Sequence, residues 1–572
     1  MTETLTQKAV QSEVRDILQS PSLLGPEWVS LYESNISFAT EHFEAAMQNL
    51  IKQPNINSTV ILRADILIEN KFNYPSGSTP IKDSFESDLA HIKPIIPTTS
   101  EDEVILEKNL NDIDIKQVPL APSNRPKVEI VRRIVPRNPF KDYIINQTCL
   151  VLELKIEEDN EEKVEGETYD STLIIYNPHI DNSDDCPFYL PGVQAVGILF
   201  HKDRLSVHYL PFDFSKPDTT SAFRQLSQDN RDVRIAFRLL QTAKKHSTGV
   251  MEGYQKRVKH DLVVSKVAFQ DRYISLKKKY SKQLVDNWVE STDPGKHVFE
   301  DIAIAAFLIE LWAKIYQDKQ EFEFRDLGCG NGLLVYILLS EGYSGIGIDA
   351  RARKSWKTYP DGVQSKLKEQ VIIPSVLLRP HPTVKSYAPH LTDNGRVFQV
   401  PVSNKATNTT PDVPVIAYYS SASLLASPNV NTAQFPKNTF IIGNHSDELT
   451  CWIPLLGYPF LVIPCCSHAL SGSRVRYPSK RKPSTCNTNH AKGNSTYAAL
   501  VDHVENLAKE VGWKVEKEML RIPSTRNAAI IGYEREKLSK AASVYDILVM
   551  EGGAEGWVEN TMALTSKSPR SH

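Results

Sequence analysis

Between Asp326 and Gly332 the chain reads Asp-Leu-Gly-Cys-Gly-Asn-Gly, and the residues on either side of this run restrict the fold more than any other feature. Before it, EFEFRDLG (321–328) alternates Phe322 and Phe324 with charged residues, the period of a strand. After it, Leu333 to Leu339 is a dense apolar stretch of helical character, and Gly342 fits the position just beyond a helix end. Strand, glycine turn and helix together bring backbone close to a ligand. Gly328, Gly330 and Gly332 permit a tight turn with no side chain in the way. The following helix start offers free N–H groups and a positive dipole end. GIGID (345–349) reads as the next strand and ends in Asp349, 17 residues past Gly332. A carboxylate there can accept hydrogen bonds from both hydroxyls of a ribose.

A nicotinamide-binding turn needs G-x-G-x-x-G, which would put its third glycine at Leu333. The glycines here run G-x-G-x-G behind an acid, a pattern that resembles the class I S-adenosylmethionine-dependent methyltransferases. That resemblance implies S-adenosylmethionine as cofactor. Its methionine carboxylate would lie at the helix start, and Asp326 would either reach its ammonium or order the loop.

Strands and helices alternate from about Lys296. His297–Ile315 is an apolar helix, VIIPSVLL (371–378) a third strand that Pro374 restricts to an edge or bulge, and NTFIIG (438–443) a fourth. Asp447–Leu456 reads as a short helix, YPFLVIP (458–464) as a strand and Ser495–Val511 as a helix. WKVEKEML (513–520) and NAAIIGY (527–533) lie close enough in sequence to be an antiparallel pair. The pattern predicts a doubly wound α/β sheet, here a Rossmann-like class I methyltransferase sheet preceded by an α+β N-terminal region. Residues 1–60 read as mostly helical, with Ile36, Phe43, Met47 and Leu50 at helical spacing up to Pro54, and 70–125 as loops with short elements. Residues 127–210 read as strands and 220–290 as helices. The expected divisions are 1–125, 126–294 with basic helices that bind RNA, 295–540 for the methyltransferase domain, and a tail at 541–572.

Composition narrows the class further. No stretch approaches about 18 uninterrupted apolar residues, so no membrane span is expected. The N-terminus lacks a basic segment followed by an apolar one, and the cysteines, seven in 572 residues, are too sparse for a disulfide framework. A cytoplasmic protein without a metal centre is expected. Net charge is only −3, but charge is unevenly placed. Residues 157–170 hold eight acids and one lysine, a solvated loop. Residues 231–282 hold fourteen Lys/Arg against four Asp/Glu, and 474–492 six against none. Two basic runs flanking the glycine-loop domain favour a nucleic-acid partner over a merely solvated face. Phosphate contact is expected from Lys256, Arg257, Lys259, Arg351, Arg353, Arg474, Arg476, Arg481 and Lys482.

Several longer segments resemble one family. DLGCGNGLLVYILLSEGYSGIGIDARARKSW (326–356), IGNHSDELTCWIP (442–454), FLVIPCCSHAL (460–470) and LRIPSTRNAAIIG (520–532) resemble the tRNA ribose 2′-O-methyltransferases that act on uridine 44 of serine tRNAs. So do RRIVPRNPFKDYIINQTCLV (132–151), CPFYLPGVQAVGILF (186–200) and TDPGKHVFEDIAIAAFLIELW (292–312). The resemblance implies methyl transfer from sulfonium to the 2′-oxygen of a uridine ribose, in the cytoplasm, on serine tRNA. It identifies no protein partner.

A 2′-hydroxyl is a poor nucleophile, so it must be aligned and its proton received. Asn444, His445, Ser446, Asp447 and Glu448 follow the 438–443 strand. Asn444, Asp447 and Glu448 are the expected catalytic residues, with Asn444 touching cofactor or substrate and an acid or His445 as base. Helix capping by Asn444 with Asp447 three residues on accounts for the same residues. Cys465 and Cys466 raise a second chemistry, covalent addition to a pyrimidine C6 giving a C5-methyl base. Small residues packing a strand end explain them equally. A zinc set of Cys465, Cys466, His468, Cys486 and His490 lacks a C-x-x-C pair. A third reading is a catalytically silent methyltransferase fold that serves as an RNA-binding subunit.

Overall fold

The computed structural model describes residues 14–75, 80–91, 110–139, 141–156, 169–254, 260–402, 415–478, 495–536 and 541–565. The chain divides into two compact units, Met1–Lys256 and Arg257–His572.

The first unit is built on one nine-stranded sheet. Its strands are β1 (Val14–Asp16), β2 (Val29–Asn35), β3 (Ile61–Asn73), β4 (Ile81–Glu86), β5 (Ser123–Pro136), β6 (Ile145–Lys155), β7 (Ser171–Pro178), β8 (Ala195–His201) and β9 (Arg204–Leu210). They lie in the order β1-β2-β9-β8-β7-β6-β5-β3-β4, every neighbouring pair antiparallel. Helix α1 (Thr40–Lys52) packs with the later helix Arg231–Met251 through Phe43, Met47, Leu50, Val233, Ala236 and Leu240, all buried. Between those helices comes α2 (Pro217–Arg224), so Arg231–Met251 is α3.

Two expectations change here. Among the described residues, 14–60 contribute two strands and a single α-helix, because Val29–Asn35 has β-branched and aromatic residues that pair with β9. The short elements expected in 70–125 are present: Lys71–Asn73 end β3, and β4 lies within the stretch. Position 125 falls inside β5, which pairs with β3 on one side and β6 on the other, so a boundary there would cut a sheet through its interior. Most of the acidic 157–170 run lies outside the described residues.

The second unit carries a seven-stranded sheet: β10 (Glu323–Leu327), β11 (Gly345–Asp349), β12 (Leu367–Glu369), β17 (Thr439–Asn444), β18 (Phe460–Ile463), β19 (Trp513–Met519) and β20 (Ala528–Arg535). Two small pairs complete the count, β13 (Val371–Ile372) with β16 (Val430–Asn431), and β14 (Val397–Val402) with β15 (Val415–Ser420). The main order is β12-β11-β10-β17-β18-β20-β19. Its pairs are parallel up to β18, and β20 runs antiparallel to both its neighbours. VIIPSVLL is therefore not a strand of the main sheet. Only Val371–Ile372 pair, with β16, before Pro374 ends the ladder.

The two faces of this sheet alternate residue by residue. Phe324, Phe440, Ile442 and Leu461 pack on one side with α5 (Pro294–Ile315) and α6 (Leu333–Ser340), behind α4 (Lys266–Asp286). Leu327, Ile441, Phe460 and Val462 pack on the other with α7 (Thr496–Glu510). The segment expected as a tail holds two more helices, α8 (Val544–Met550) and α9 (Trp557–Leu564). Ile547 and Trp557 are fully buried on that second face. Two widely spaced apolar anchors in a polar stretch suffice to dock it. No described helix is long and apolar enough to cross a membrane.

Candidate active site

Chain order reverses between β10 and β17. From β10 the chain runs outward through β11 and β12, then returns to the other side of β10 as β17. The crevice beyond the carboxyl ends of such a strand pair is where open α/β sheets bind ligands. The glycine loop leaves β10 there, and Asn444–Glu448 leave β17 beside it.

Gly328, Gly330 and Gly332 have φ of 78°, 55° and 76°, a left-handed conformation that side chains resist. A Cβ on Gly332 would lie 3.1 Å from Leu367, and one on Gly328 3.3 Å from Ser446 Cβ, whereas at Gly330 nothing stands within 4 Å. The middle glycine therefore faces open space. The loop is braced from behind. Trp356 Nε1 donates to the Gly330 carbonyl at 2.9 Å, and Ser355 and Tyr359 donate to the Asn331 carbonyl. Asn331 Oδ1 accepts from Leu333 N–H and so starts α6.

Asp349 holds the loop from the next strand. Its Oδ2 accepts from Gly330 N–H at 2.9 Å and its Oδ1 from Arg351 N–H at 3.1 Å. Arg353 stands 3.8 Å away. Burial raises the Asp349 carboxyl above its ordinary value, against the opposing pull of Arg353 and the two N–H donors. Asp326 is 1% exposed, and its Oδ1 has no hydrogen-bond partner. Burial first, then the charges of Asp301 and Asp349, push it well up.

Two acids that sequence reasoning missed complete the wall. Glu300 and Asp301 are buried on α5. Asn444 Nδ2 donates to Asp301 Oδ1 at 3.1 Å, and His445 Nε2 lies 3.1 Å from Glu300 Oε1. Burial, then Glu300, raise Asp301 to about 7, with the Asn444 amide pulling the other way. The readable signal is a Glu-Asp pair directly before the apolar run Ile302–Ile309 of α5. The Asp326 carboxyl beside the glycine loop, with an orphaned oxygen and with Asp301 and Asp349 close enough to act on it, fits a cationic ligand. An α-ammonium and a sulfonium, as in S-adenosylmethionine, are such cations.

The capping alternative for Asn444 is not realised. Asn444 ends β17, Ser446 precedes the turn Asp447–Leu449, and that turn has no side-chain cap. The predicted helix 447–456 is instead two 3₁₀ turns. His445 and Asp447 have φ of 51° and 43°, strain in residues with a Cβ. Cys465, just past β18, donates its thiol to Asp447 Oδ1 at 2.9 Å. Burial and the Asp447 charge raise the Cys465 thiol strongly, which keeps it protonated and unlike an activated nucleophile. Glu448 lies beside His468, at 4.0 Å. Of the residues weighed as a zinc set, Cys486 and His490 lie outside the described residues, while Cys465 and Cys466 group with Asp447.

The basic residues divide. Arg353 turns toward Asp349, and Arg351 gives its backbone N–H to the same carboxylate. Arg474 and Arg476 are exposed and form no ion pair among the described residues. Lys256, Arg257, Lys259, Arg481 and Lys482 lie outside the described residues. The 521–526 segment joins β19 to β20, and Arg521 is held by both oxygens of Asp261 at 2.8 and 2.5 Å.

Strand order, glycine loop and acid wall define a class I S-adenosylmethionine-dependent methyltransferase, and comparison with known proteins agrees. Residues 263–374 match the family described as "Predicted AdoMet-dependent methyltransferase", and residues 5–257 match "TRM44-like, N-terminal bet v1-like domain". The chain belongs to the tRNA (uracil-O(2)-)-methyltransferase family. A relative of that name from Debaryomyces hansenii is 56% identical, over 97% of this chain and 98% of the relative. One from Saccharomyces cerevisiae is 56% identical over 97% and 96%, and one from Schizosaccharomyces pombe 38% over 96% and 94%. No solved structure matches the chain.

Proposed function

We propose that this protein transfers a methyl group to the 2′-oxygen of a uridine ribose in tRNA, at position 44 of serine tRNAs, in the cytoplasm. The observation that carries the reading is 56% identity over nearly the whole chain to relatives named "tRNA (uracil-O(2)-)-methyltransferase", joined to an acid-walled glycine loop. When bound, S-adenosylmethionine supplies the electrophilic methyl. Asp326 and Asp301 face its cationic groups, and Asp349 orders the loop and meets the ribose. Gly328, Gly330 and Gly332 let the backbone approach.

On the substrate side, Asn444 is fixed by Asp301 and orients the ribose. Asp447, held by the Cys465 thiol, receives the proton of the 2′-hydroxyl. Glu448 and His445 keep that turn in place. Arg474 and Arg476, together with Arg351, Arg353, Lys256, Arg257, Lys259, Arg481 and Lys482, contact phosphates and position the RNA without reading its sequence.

The test uses purified protein, labelled S-adenosylmethionine and total tRNA lacking endogenous methylation, with mass spectrometry of the digested product. 2′-O-methyluridine confined to serine tRNAs is expected. A C5-methylated base would overturn the ribose assignment, and no product despite cofactor binding would favour a silent RNA-binding subunit.

A further inference from the structure

The N-terminal unit contains a cavity of about 570 Å³ lined by α3, by β5 to β8 and by the 57–61 and 188–193 segments. That size falls in the range of roughly 300–1,000 Å³ typical of small-ligand sites. Arginines Arg132, Arg231, Arg234 and Arg238 line it, against one carboxylate, Asp229.

Two groups in its wall lack what burial demands. Arg132 is 4% exposed, and no carboxylate pairs with it among the described residues. Its N–H groups go to Gln147 Oε1, at 2.7 and 3.1 Å, and to the Leu50 and Ile51 carbonyls. Beside it, with the guanidinium 5.2 Å from the ring centroid, stands Tyr176. Tyr176 is buried, and its hydroxyl has no hydrogen-bond partner. An orphaned buried hydroxyl costs about 1–3 kcal/mol, and a buried cation without a counter-charge costs more. A ligand that brings hydrogen-bond acceptors to this end of the cavity would partner the Tyr176 hydroxyl and ease the burial of the Arg132 guanidinium.

The mouth adds charge and a ring. Arg234 and Arg238 are exposed, one helical turn apart on the cavity side of α3, and neither forms an ion pair among the described residues. Arg231 lies over the Phe188 ring at 4.8 Å, and Phe188 is 74% exposed. Exposed planar groups beside free guanidinium forks are the chemistry that holds an unstacked base and its phosphate.

We propose that this cavity receives a single ribonucleotide splayed out of an RNA, its phosphate on Arg234 and Arg238 and its base directed toward Arg132 and the Tyr176 hydroxyl. The inference rests on RNA being the substrate of the chain. An alkyl amphiphile would satisfy the mouth but leave Tyr176 and Arg132 against hydrocarbon.

The test uses the full chain in three arms. Calorimetry with each ribonucleoside 5′-monophosphate and with laurate reads the cavity directly. Transcribed tRNA substituted with 4-thiouridine is photocrosslinked and the adducts mapped. Steady-state methylation compares wild type with Arg234→Glu/Arg238→Glu, whose sites are exposed and whose folding is checked by circular dichroism. At least one monophosphate should bind, and adducts should fall among residues 176, 188–189 and 231–242. The double variant should lose monophosphate binding and raise KM for tRNA by about tenfold or more, with kcat and cofactor affinity unchanged. Tyr176→Phe should weaken monophosphate binding without lowering Tm. Laurate binding in place of nucleotides would overturn the proposal. So would monophosphate binding with no adduct in the cavity and an unaltered KM, which marks a site for free nucleotide. If wild type methylates no RNA, the proposed function fails instead, and the calorimetric arm still reads the cavity.

Discussion

Asp301 on α5 and Asn444 at the end of β17 meet through a 3.1 Å hydrogen bond, although 143 residues separate them. The contact ties the helix before the glycine loop to the strand that carries the substrate-side residues. It also sets up a titration. Desolvation by burial first, and the neighbouring Glu300 charge second, hold Asp301 at about 7, with Asn444 opposing. Asp326 and Tyr359 feel the same charge. A carboxyl raised on folding is protonated at no cost below its unfolded value near 3.8. The native state loses stability as pH rises from there to about 7, and the loss is complete above it. Asp301→Asn should therefore raise Tm at pH 8 by on the order of 5 °C and leave it nearly unchanged at pH 4. Because a cationic ligand favours the ionised form, cofactor affinity should increase as pH rises through about 7 and flatten in the variant. Calorimetry across pH checks both, and equal slopes in the two proteins would remove Asp301 from the cofactor wall.

Asp349 braces the loop by accepting from Gly330 and Arg351 N–H. Charge-assisted hydrogen bonds of this kind contribute about 1.5–3 kcal/mol. Asp349→Ala should weaken S-adenosylmethionine binding by roughly ten- to hundredfold. Asp349→Asn, which keeps an acceptor, should lose less. Unchanged affinity in the alanine variant would mean the carboxylate serves the loop alone.

Cys465 and Asp447 distinguish ribose from base chemistry. The thiol donates to the carboxylate at 2.9 Å and is held protonated. Cys465→Ser keeps a donor and should retain kcat within about threefold, a barrier change of under about 0.7 kcal/mol. Cys465→Ala should lower kcat more, and Asp447→Asn more still. A covalent route through C6 predicts the opposite order, with both cysteine substitutions inactive. Single-turnover methylation of unmodified tRNA separates the two.

How much the sequence revealed depended on the range of the interactions involved. The glycine loop, Asp349 and the edge pair β19–β20 were readable because strand period, turn chemistry and an acid at a strand end are local signals. Glu300 and Asp301 were not assigned, because on a helix their function comes only from facing β17 across the core. The local pattern that made capping an alternative for Asn444 gives way to a long-range partner: its amide is held by the buried Asp301 carboxylate. Early strands β1 to β4 were missed because their partners, β9 and β5 among them, lie far along the chain.

The C-terminal helices show the same blindness to long-range docking, and their anchor is testable. Trp557 is 1% exposed, donates from Nε1 to the Ile372 carbonyl at 3.1 Å and stands 5.5 Å from Trp452. Trp557→Ala removes that ring and leaves both a cavity and an unpaired carbonyl. Such a substitution costs about 3–5 kcal/mol. Chemical denaturation should show the loss in the transition of the C-terminal unit, with the N-terminal unit unaffected. Trp557→Phe, which refills most of the space but not the hydrogen bond, should recover more than half of it. If truncation before Trp557 left that transition where it is in the full chain, the segment would be an ornament on the fold rather than part of its second core.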